Sequence, residues 1–130
     1  MNLEDLNKHL ELVQKLQNAQ ELYQSLQAKS LGSQKIDGMP HGTGVSDKTG
    51  MLAVELADMG VRVAYLKEAV RESAGPVAEF INSIEEDKTR MIFRLRFLHG
   101  YAWCEVAGWL GADMTEDAVK ESCYRFLRCV

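Results

Sequence analysis

Residues 94 to 111 read Arg94-Leu-Arg-Phe-Leu-His-Gly100-Tyr-Ala-Trp103-Cys-Glu-Val-Ala107-Gly-Trp-Leu-Gly111, and this stretch decides the interpretation of the chain. It predicts a helix that Gly100 ends, followed by a short helix in which Ala107 and Gly111 stand four residues apart. After a turn, a last helix is predicted from Thr115, a residue suited to the N-cap position. Two short helices joined by a turn, with a small residue where they cross, are typical of a helix-turn-helix. Double-stranded DNA is therefore the first partner to consider.

The composition predicts an all-α protein. The chain has 130 residues, 46% of them apolar and 26% charged, with two prolines. This length fits one medium domain, or a small domain with a helical extension. The periodic segments are rich in Leu, Ala, Glu, Lys and Gln, which favour helices, and no segment alternates apolar and polar residues as a strand does.

Charge is distributed unevenly along the chain. Residues 1–87 carry 8 Lys and Arg against 14 Asp and Glu, whereas residues 88–130 carry 7 against 5. The positive part coincides with the candidate helix-turn-helix, although a net charge of +2 is small for a DNA-binding domain. No apolar run approaches the roughly 18 residues that cross a bilayer, and the N-terminus lacks a signal-peptide pattern. We therefore expect a cytoplasmic protein without a membrane partner.

Two long amphipathic helices are predicted before this module. Apolar residues recur at three-four spacing from Leu3 to Leu26, which predicts a helix of about 25 residues ending near Gly32. Residues 30–50 contain five glycines and Pro40, and they predict a loop. A heptad seam follows and ends before Gly75-Pro76. Its members are Leu52, Leu56, Met59, Val63, Leu66 and Val70.

These patterns divide the chain into two parts. Residues 1–75 are expected to form two long helices joined by the loop at about 30–50, in a coiled-coil-like hairpin. Residues 76–130 are expected to form the DNA-binding module, with one helix from Val77 to about Ile84 and another, capped by Asp87, over residues 88–99. The long helices either fold back on each other or pair between chains. Because a two-helix hairpin offers a thin core, we expect a homodimer; the alternative is that the seam docks on the C-terminal module.

The last helix provides the candidate DNA-reading surface. At 100° per residue, Val119, Cys123, Phe126 and Val130 fall on one side and should face the core. The basic residues on the other side can bind phosphates or guanine, Tyr124 can contact a phosphate or a thymine methyl, and Glu121 can accept a hydrogen bond from cytosine. Its acidic residues equally favour a protein-binding surface. The predicted surface comprises Asp117, Lys120, Glu121, Tyr124, Arg125 and Arg128, with Arg94 and Arg96 before the turn as further contacts to the DNA backbone.

No catalytic, cofactor or metal site is predicted. Residues 42–49 differ from a phosphate-binding P-loop because Asp47 stands where a glycine is needed, and the carboxylate would repel phosphate. The three histidines lack metal-ligand spacing, and the three cysteines form no C-x-x-C pair. We therefore expect a non-enzymatic protein without a cofactor. The role of residues 38–50 and of His41 stays open.

Two segments resemble known families. Residues 85–128, with Arg94-Leu-Arg-Phe-Leu, Gly100, Trp103, Glu105-Val-Ala107 and Leu110-Gly111, resemble region four of bacterial primary-type sigma factors and related phage regulators. The loop of residues 38–50 and the helix after it are similar to a small family of uncharacterised phage and prophage proteins of Gram-positive bacteria. Together the two resemblances cover nearly the whole chain.

The resemblance implies a phage-encoded regulator that acts in the bacterial host cell. It implies a sigma-like DNA-binding module similar to that of phage late-gene transcriptional activators, with host RNA polymerase as a further partner. The alternative is a non-enzymatic adaptor that binds RNA polymerase or another phage protein through the same module.

Overall fold

The computed structural model describes residues 1–34, 43–111 and 113–129, including their side chains except in 31–34 and 43–49. The described residues contain helices and no strand, so the expected all-α class is confirmed for them. None of these helices is long and apolar enough to cross a membrane. The elements are α1 (Leu3–Gln34), α2 (Thr43–Asn82), α3 (Asp87–Phe93), a π-helical turn (Arg94–Leu98), α4 (Trp103–Leu110) and α5 (Glu116–Cys129).

The chain forms two compact units. Residues 1–14 and 69–130 make up the terminal unit, and residues 15–68 make up the middle unit. Both long helices contribute to both units, so this division falls within α1 and α2, whereas the sequence pattern suggested a division between residues 75 and 76. The candidate helix-turn-helix lies in the terminal unit.

The long helices extend further than the sequence pattern predicts. Helix α1 continues to Gln34, and α2 begins at Thr43, inside the predicted loop of residues 30–50. Glycine inside a helix costs only about 1 kcal/mol relative to alanine, so the glycines at these two ends do not by themselves stop a long helix. The rest of the predicted loop, residues 35–42 with His41, lies outside the described residues.

Helix α2 also passes through Pro76, where the sequence predicted a helix end. The predicted separate helix from Val77 to Ile84 is instead the last part of α2, which ends at Asn82. Proline removes one backbone hydrogen bond from the preceding turn. The continuation is favoured because Val77 is 3% exposed and Ile81 is fully buried in the core.

In the middle unit, α1 and α2 pack on each other within one chain. Ala19 of α1 shares a buried cluster with Val63 and Leu66 of α2. Four residues further along α1, the Tyr23 ring lies beside Gly60 of α2. A Cβ atom added to Gly60 would stand 3.4 Å from this ring. Advancing along α1 therefore means going back along α2, so the two segments are antiparallel. Of the two pairings that the sequence left open, the structure has the one within the chain.

The terminal unit is built around aromatic side chains. Phe93 is fully buried, and its ring centroid lies 6.1 Å from that of Phe80, 5.6 Å from Phe97 and 5.5 Å from Phe126. These separations are typical of favourable tilted and edge-to-face aromatic pairs. The buried apolar residues of this core are Leu6, Leu10, Val77, Ile81, Ile84, Ile92, Phe93, Leu95, Phe97, Trp103, Val106, Ala107, Val119 and Cys123.

A buried histidine joins α1 to α2 in this unit. His9 is 1% exposed, and its Nδ1 lies 2.7 Å from Oγ of Ser73. Burial lowers the pKa of His9 below its ordinary value of 6.5, because the charged imidazolium would lose its hydration. The neutral imidazole is therefore the form that fits this fold.

The helix predicted over residues 88–99 is in fact two segments. Helix α3 begins at Asp87, so the N-cap position belongs to Glu86 and not to Asp87 as predicted. The Asp87 carboxylate accepts a hydrogen bond from the Arg90 guanidinium one turn later, which accounts for its place inside the helix. The π-helical turn follows, in which the His99 N–H donates to the Arg94 carbonyl, five residues earlier, at 3.1 Å.

Candidate nucleic-acid interface

Helix α4 presents the apolar face that its sequence predicts. Val106 is fully buried, Ala107 is 6% exposed and Trp103 is 9% exposed, while Leu110 is half-buried. The Ala102 N–H donates to Oε1 of Glu105 at 3.1 Å, which satisfies a backbone donor at the start of the helix. The small side chain of Ala107 leaves room for α5, which packs against α4.

The turn between α4 and α5 is held at both ends. Gly111 ends α4 with a φ of +114°, a conformation that L side chains rarely adopt. The Met114 N–H donates to the Gly111 carbonyl at 3.2 Å. Oγ1 of Thr115 accepts from the Ala118 N–H at 3.1 Å, so the predicted N-cap is confirmed. These contacts fix the direction in which α5 leaves α4.

The residues predicted to face the core from α5 are buried or half-buried wherever the structure describes them. Val119 and Cys123 are fully buried, and Phe126 is half-buried against the same core. Val130 lies outside the described residues. Burial raises the pKa of the Cys123 thiol to about 12, an effect that the nearby Arg96 cation partly opposes. Cys123 therefore behaves as a small apolar side chain.

The opposite side of α5 faces solvent, and we call it the outer face. The six residues predicted there share it: five are exposed, and Lys120 is half-buried. The fold therefore brings together a tyrosine, three basic residues and two acidic residues along one helix. The exposed five are Asp117, Glu121, Tyr124, Arg125 and Arg128.

Every basic residue on the outer face is paired with a carboxylate of the same helix. Nζ of Lys120 lies 3.3 Å from Oε1 of Glu116. Oε1 of Glu121 lies 3.6 Å from Nη2 of Arg125 and 3.8 Å from Nη2 of Arg128. Exposed pairs of this kind contribute only about 0 to 1 kcal/mol, so a phosphate can replace the carboxylate at little cost. The outer face has its cations in place, but their charge is locally balanced.

The two arginines predicted before the turn have different surroundings. Arg94 is exposed, and its guanidinium donates to the Asn82 side chain. Arg96 is directed into the fold, where Nη1 donates to the Tyr101 carbonyl at 3.0 Å and the guanidinium carbon lies 4.6 Å from the centre of the Trp103 ring. Burial lowers the pKa of Arg96, and its buried Nε lacks a partner among the described residues.

Arg96 is thus explained by the fold rather than by a DNA contact. Its side chain leaves a π-helical turn, whose wider spacing directs the residues differently from the α-helix that the sequence predicted. Its hydrogen bond and ring contact connect that turn to the start of α4. Arg94 keeps a position from which its cation can reach a phosphate.

An exposed aromatic group on α4 was not predicted. Trp109 is 66% exposed, although tryptophan is usually buried to a large extent. Its ring centroid lies 6.1 Å from that of Tyr101, which in turn stacks on His99 at 5.9 Å. The available signal was the position of Trp109 outside the apolar face of α4. This group is a second feature of the module that can contact a partner.

The part of the chain that the structure describes contains no candidate metal site. Within residues 1–34, 43–111 and 113–129, no three or more His, Cys, Asp or Glu side chains are grouped so that they could hold an ion. Cys104 and Cys129 are exposed and free, and Cys123 is free and buried.

Comparison with known proteins adds no relative. The chain matches no protein-family model, and no curated protein or solved structure is significantly similar to it. What the module can do must therefore be inferred from its geometry and its sequence pattern.

Proposed function

We propose that this chain is a phage-type transcriptional regulator that binds double-stranded DNA through the helix-turn-helix of α4 and α5. One observation carries the proposal: α5 is fixed by a capped turn and two fully buried residues, and its outer face carries two exposed arginines, a half-buried lysine and an exposed tyrosine. The pattern that residues 85–128 share with sigma region four supports the same interpretation.

The dimensions of α5 suit a DNA groove. A helix of 14 residues is about 21 Å long, and with its side chains it is about 10–12 Å wide. The major groove of B-DNA is about 12 Å wide and admits one α-helix. In this arrangement Arg125 and Arg128 donate to phosphates or guanine, Tyr124 contacts a phosphate or a thymine methyl, and Lys120 contacts a phosphate.

Local charge supports binding that depends strongly on salt. Residues 87–98 carry four basic residues and one acidic residue, Asp87. Helix α5 carries three basic and three acidic residues. Arg94 adds an exposed cation to the three on the outer face. Three or four phosphate contacts predict that the logarithm of the binding constant falls with the logarithm of salt concentration with a slope of roughly −3 to −4.

The test is a salt series of binding to a random duplex and to promoter DNA of the same phage. The variant Lys120→Ala with Arg125→Ala should weaken binding and make the slope shallower by about 2. Lys8→Ala is the matched control, because Lys8 is exposed and pairs with Glu4 at 3.6 Å with the same four-residue spacing in α1. Absence of binding at low salt, a flat salt response, or equal loss in the control would contradict the proposal.

The exposed Trp109 group favours a second candidate, a non-enzymatic adaptor that binds host RNA polymerase or another phage protein. Tryptophan is enriched at the centres of protein interfaces, where truncation commonly costs about 2 kcal/mol or more. An adaptor should co-purify from infected cells with a stoichiometric partner that Trp109→Ala removes and the Lys120/Arg125 variant keeps. A DNA-binding protein should instead lose DNA binding in the Lys120/Arg125 variant and keep it in Trp109→Ala.

Either activity places the protein in the cytoplasm of a bacterial host, where DNA and RNA polymerase are accessible. A protein that makes few phosphate contacts binds DNA more tightly as a homodimer, because two linked modules have a higher affinity than one. We include the homodimer in the proposal.

A further inference from the structure

Helix α2 has a second apolar stripe in addition to the seam that packs on α1. Four of its members are largely exposed: Met51 by 70%, Val54 by 60%, Val61 by 71% and Tyr65 by 64%. Asp58 occupies the remaining position, which completes a spacing of three, four, three and four residues. This is the spacing with which one helix packs along another. We call these five residues the α2 stripe.

The α2 stripe and the inner seam lie on different sides of the helix. Val63 and Leu66 of the seam are buried against α1 in the middle unit. At 100° per residue, the centre of the stripe lies roughly 140° from the centre of the seam. Pairing of α1 with α2 within the chain therefore leaves the stripe uncovered.

We propose that a second copy of this chain packs on the α2 stripe, with the two α2 helices antiparallel. In a register that pairs four of the five members, Val54 lies opposite Tyr65 of the other copy and Asp58 lies opposite the other copy's Val61, while Met51 lies at the end of the pair opposite Glu68. A parallel pair in register would instead place Asp58 against Asp58, and two adjacent carboxylates repel each other. The single polar residue of the stripe therefore favours the antiparallel orientation.

Charges beside the stripe fit the same orientation. Glu55 and Arg62 lie along one flank, and the antiparallel register brings Glu55 of each copy beside Arg62 of the other. Two-fold symmetry makes this pair twice. Within the described residues neither side chain forms an ion pair, and the Arg62 guanidinium lies 5.7 Å from the centre of the Tyr65 ring, at the edge of the stripe.

The other flank is lined by the smallest side chains. Gly50, Ala57 and Ala64 lie there, and each is exposed. Small residues along one flank let two helix backbones approach closely, as in other tightly packed helix pairs. One flank therefore offers complementary charge, and the other offers little steric hindrance.

The exposed area of the stripe is comparable with that of a standard interface. Exposures of 60–71% on two valines, a methionine and a tyrosine correspond to roughly 400–500 Å² of apolar surface per chain. Because about 57% of a typical interface is apolar, this amount corresponds to roughly 800 Å² per partner, the standard size of a specific interface.

Self-association through the stripe is independent of DNA binding. The stripe lies in the middle unit, whereas α4 and α5 lie in the terminal unit. A chain that dimerises without binding DNA would overturn only the proposed DNA binding. A chain that binds DNA as a monomer would overturn the homodimer and leave DNA binding through α4 and α5 standing.

The first test measures the mass of the full chain over a concentration range by sedimentation equilibrium. The wild type should be a dimer, and Val61→Asp should raise the dissociation constant by roughly a hundredfold or more, because each introduced carboxylate would face Asp58 of the other copy. Leu22→Asp is the matched control: Leu22 is 51% exposed, lies on α1 away from the stripe, and should leave the mass unchanged. Circular dichroism verifies that both variants keep their helices.

A charge exchange tests the same interface without altering its apolar residues. Glu55→Lys should weaken the dimer, because the introduced ammonium group would face Arg62 of the other copy. Adding Arg62→Glu should restore it. A monomeric wild type, including one that binds some other protein through the stripe, would overturn the proposal. So would a dimer that is unaffected by both Val61→Asp and Glu55→Lys.

Cross-linking tests the orientation. In a background with the exposed Cys104 and Cys129 changed to serine, Val54→Cys with Tyr65→Cys should give a disulfide-linked dimer on oxidation. Val54→Cys alone should not, because the two copies of residue 54 would stand about 16 Å apart along the helices. Efficient cross-linking of the single variant would indicate a parallel pair and would overturn the antiparallel arrangement.

Discussion

Replacing Glu121 by glutamine should make this protein bind DNA more tightly. Glu121 lies on the outer face of α5, and its carboxylate holds Arg125 at 3.6 Å and Arg128 at 3.8 Å. Glutamine keeps the size and removes the charge. The fold should be little affected, because exposed ion pairs contribute at most about 1 kcal/mol to the free energy of unfolding.

Two effects determine the size of the gain. A carboxylate about 8 Å from a phosphate in water is repelled by about 0.5 kcal/mol, which alone corresponds to a factor of roughly two in affinity. The wild type also has to break the ion pairs that Arg125 and Arg128 form with Glu121 before these arginines contact DNA, which costs up to about 1 kcal/mol and which the variant avoids. We therefore expect a gain of roughly two- to tenfold at low salt, with an unchanged salt slope because the same cations contact phosphates.

Fluorescence anisotropy of a labelled random duplex, titrated at several salt concentrations, measures both quantities. Glu4→Gln is the control, because Glu4 is exposed and pairs with Lys8 in α1. Unchanged affinity in Glu121→Gln would refute the placement of the outer face against DNA. A loss restricted to the specific site of the protein would instead assign Glu121 to a cytosine.

Three further predictions concern the terminal unit. Thr115→Ala should lower the free energy of unfolding in urea by about 0.5–2 kcal/mol through loss of the N-cap, whereas Thr115→Asn should keep most of it; equal loss in both would contradict the capping role. Thiol titration of the folded chain should show two fast groups, Cys104 and Cys129, and Cys123 should react only on unfolding; three fast thiols would contradict its burial. Because burial lowers the pKa of His9, the unfolded chain binds the proton more tightly than the folded chain. Stability should therefore be complete above about pH 6.5 and fall below it, and His9→Gln should weaken this dependence; an identical pH dependence in the variant would refute the assignment to His9.

Local sequence predicts α4, α5 and the turn between them well because their signals are local. The apolar side of α4, the cap at Thr115 and the buried positions of α5 each follow from spacing of three or four residues or from one capping side chain. Each signal agrees with the packing of the folded chain, so the pattern and the structure give the same helices. The outer face follows directly, since it is the side of α5 that the core residues leave exposed.

Predictions that depend on tertiary packing were less accurate. Pro76 is a local signal for a helix end, but burial of the residues that follow it continues α2 to Asn82. Arg96 looked like a surface cation because the π-helical turn that directs it inward leaves no simple trace in the sequence. The α2 stripe was visible as a second set of apolar residues, but only the packing of α1 shows which of the two sets is covered.

The most direct test of the central claim is to map where DNA binds on the intact protein. Backbone amide shifts of isotope-labelled protein are recorded while a short duplex is added at low salt. We expect the largest changes at Lys120, Tyr124 and Arg125 on the outer face of α5, and small changes at Val54 and Val61 of the α2 stripe. Changes that spare α5, or no change at any DNA concentration, would contradict the claim that this helix reads DNA.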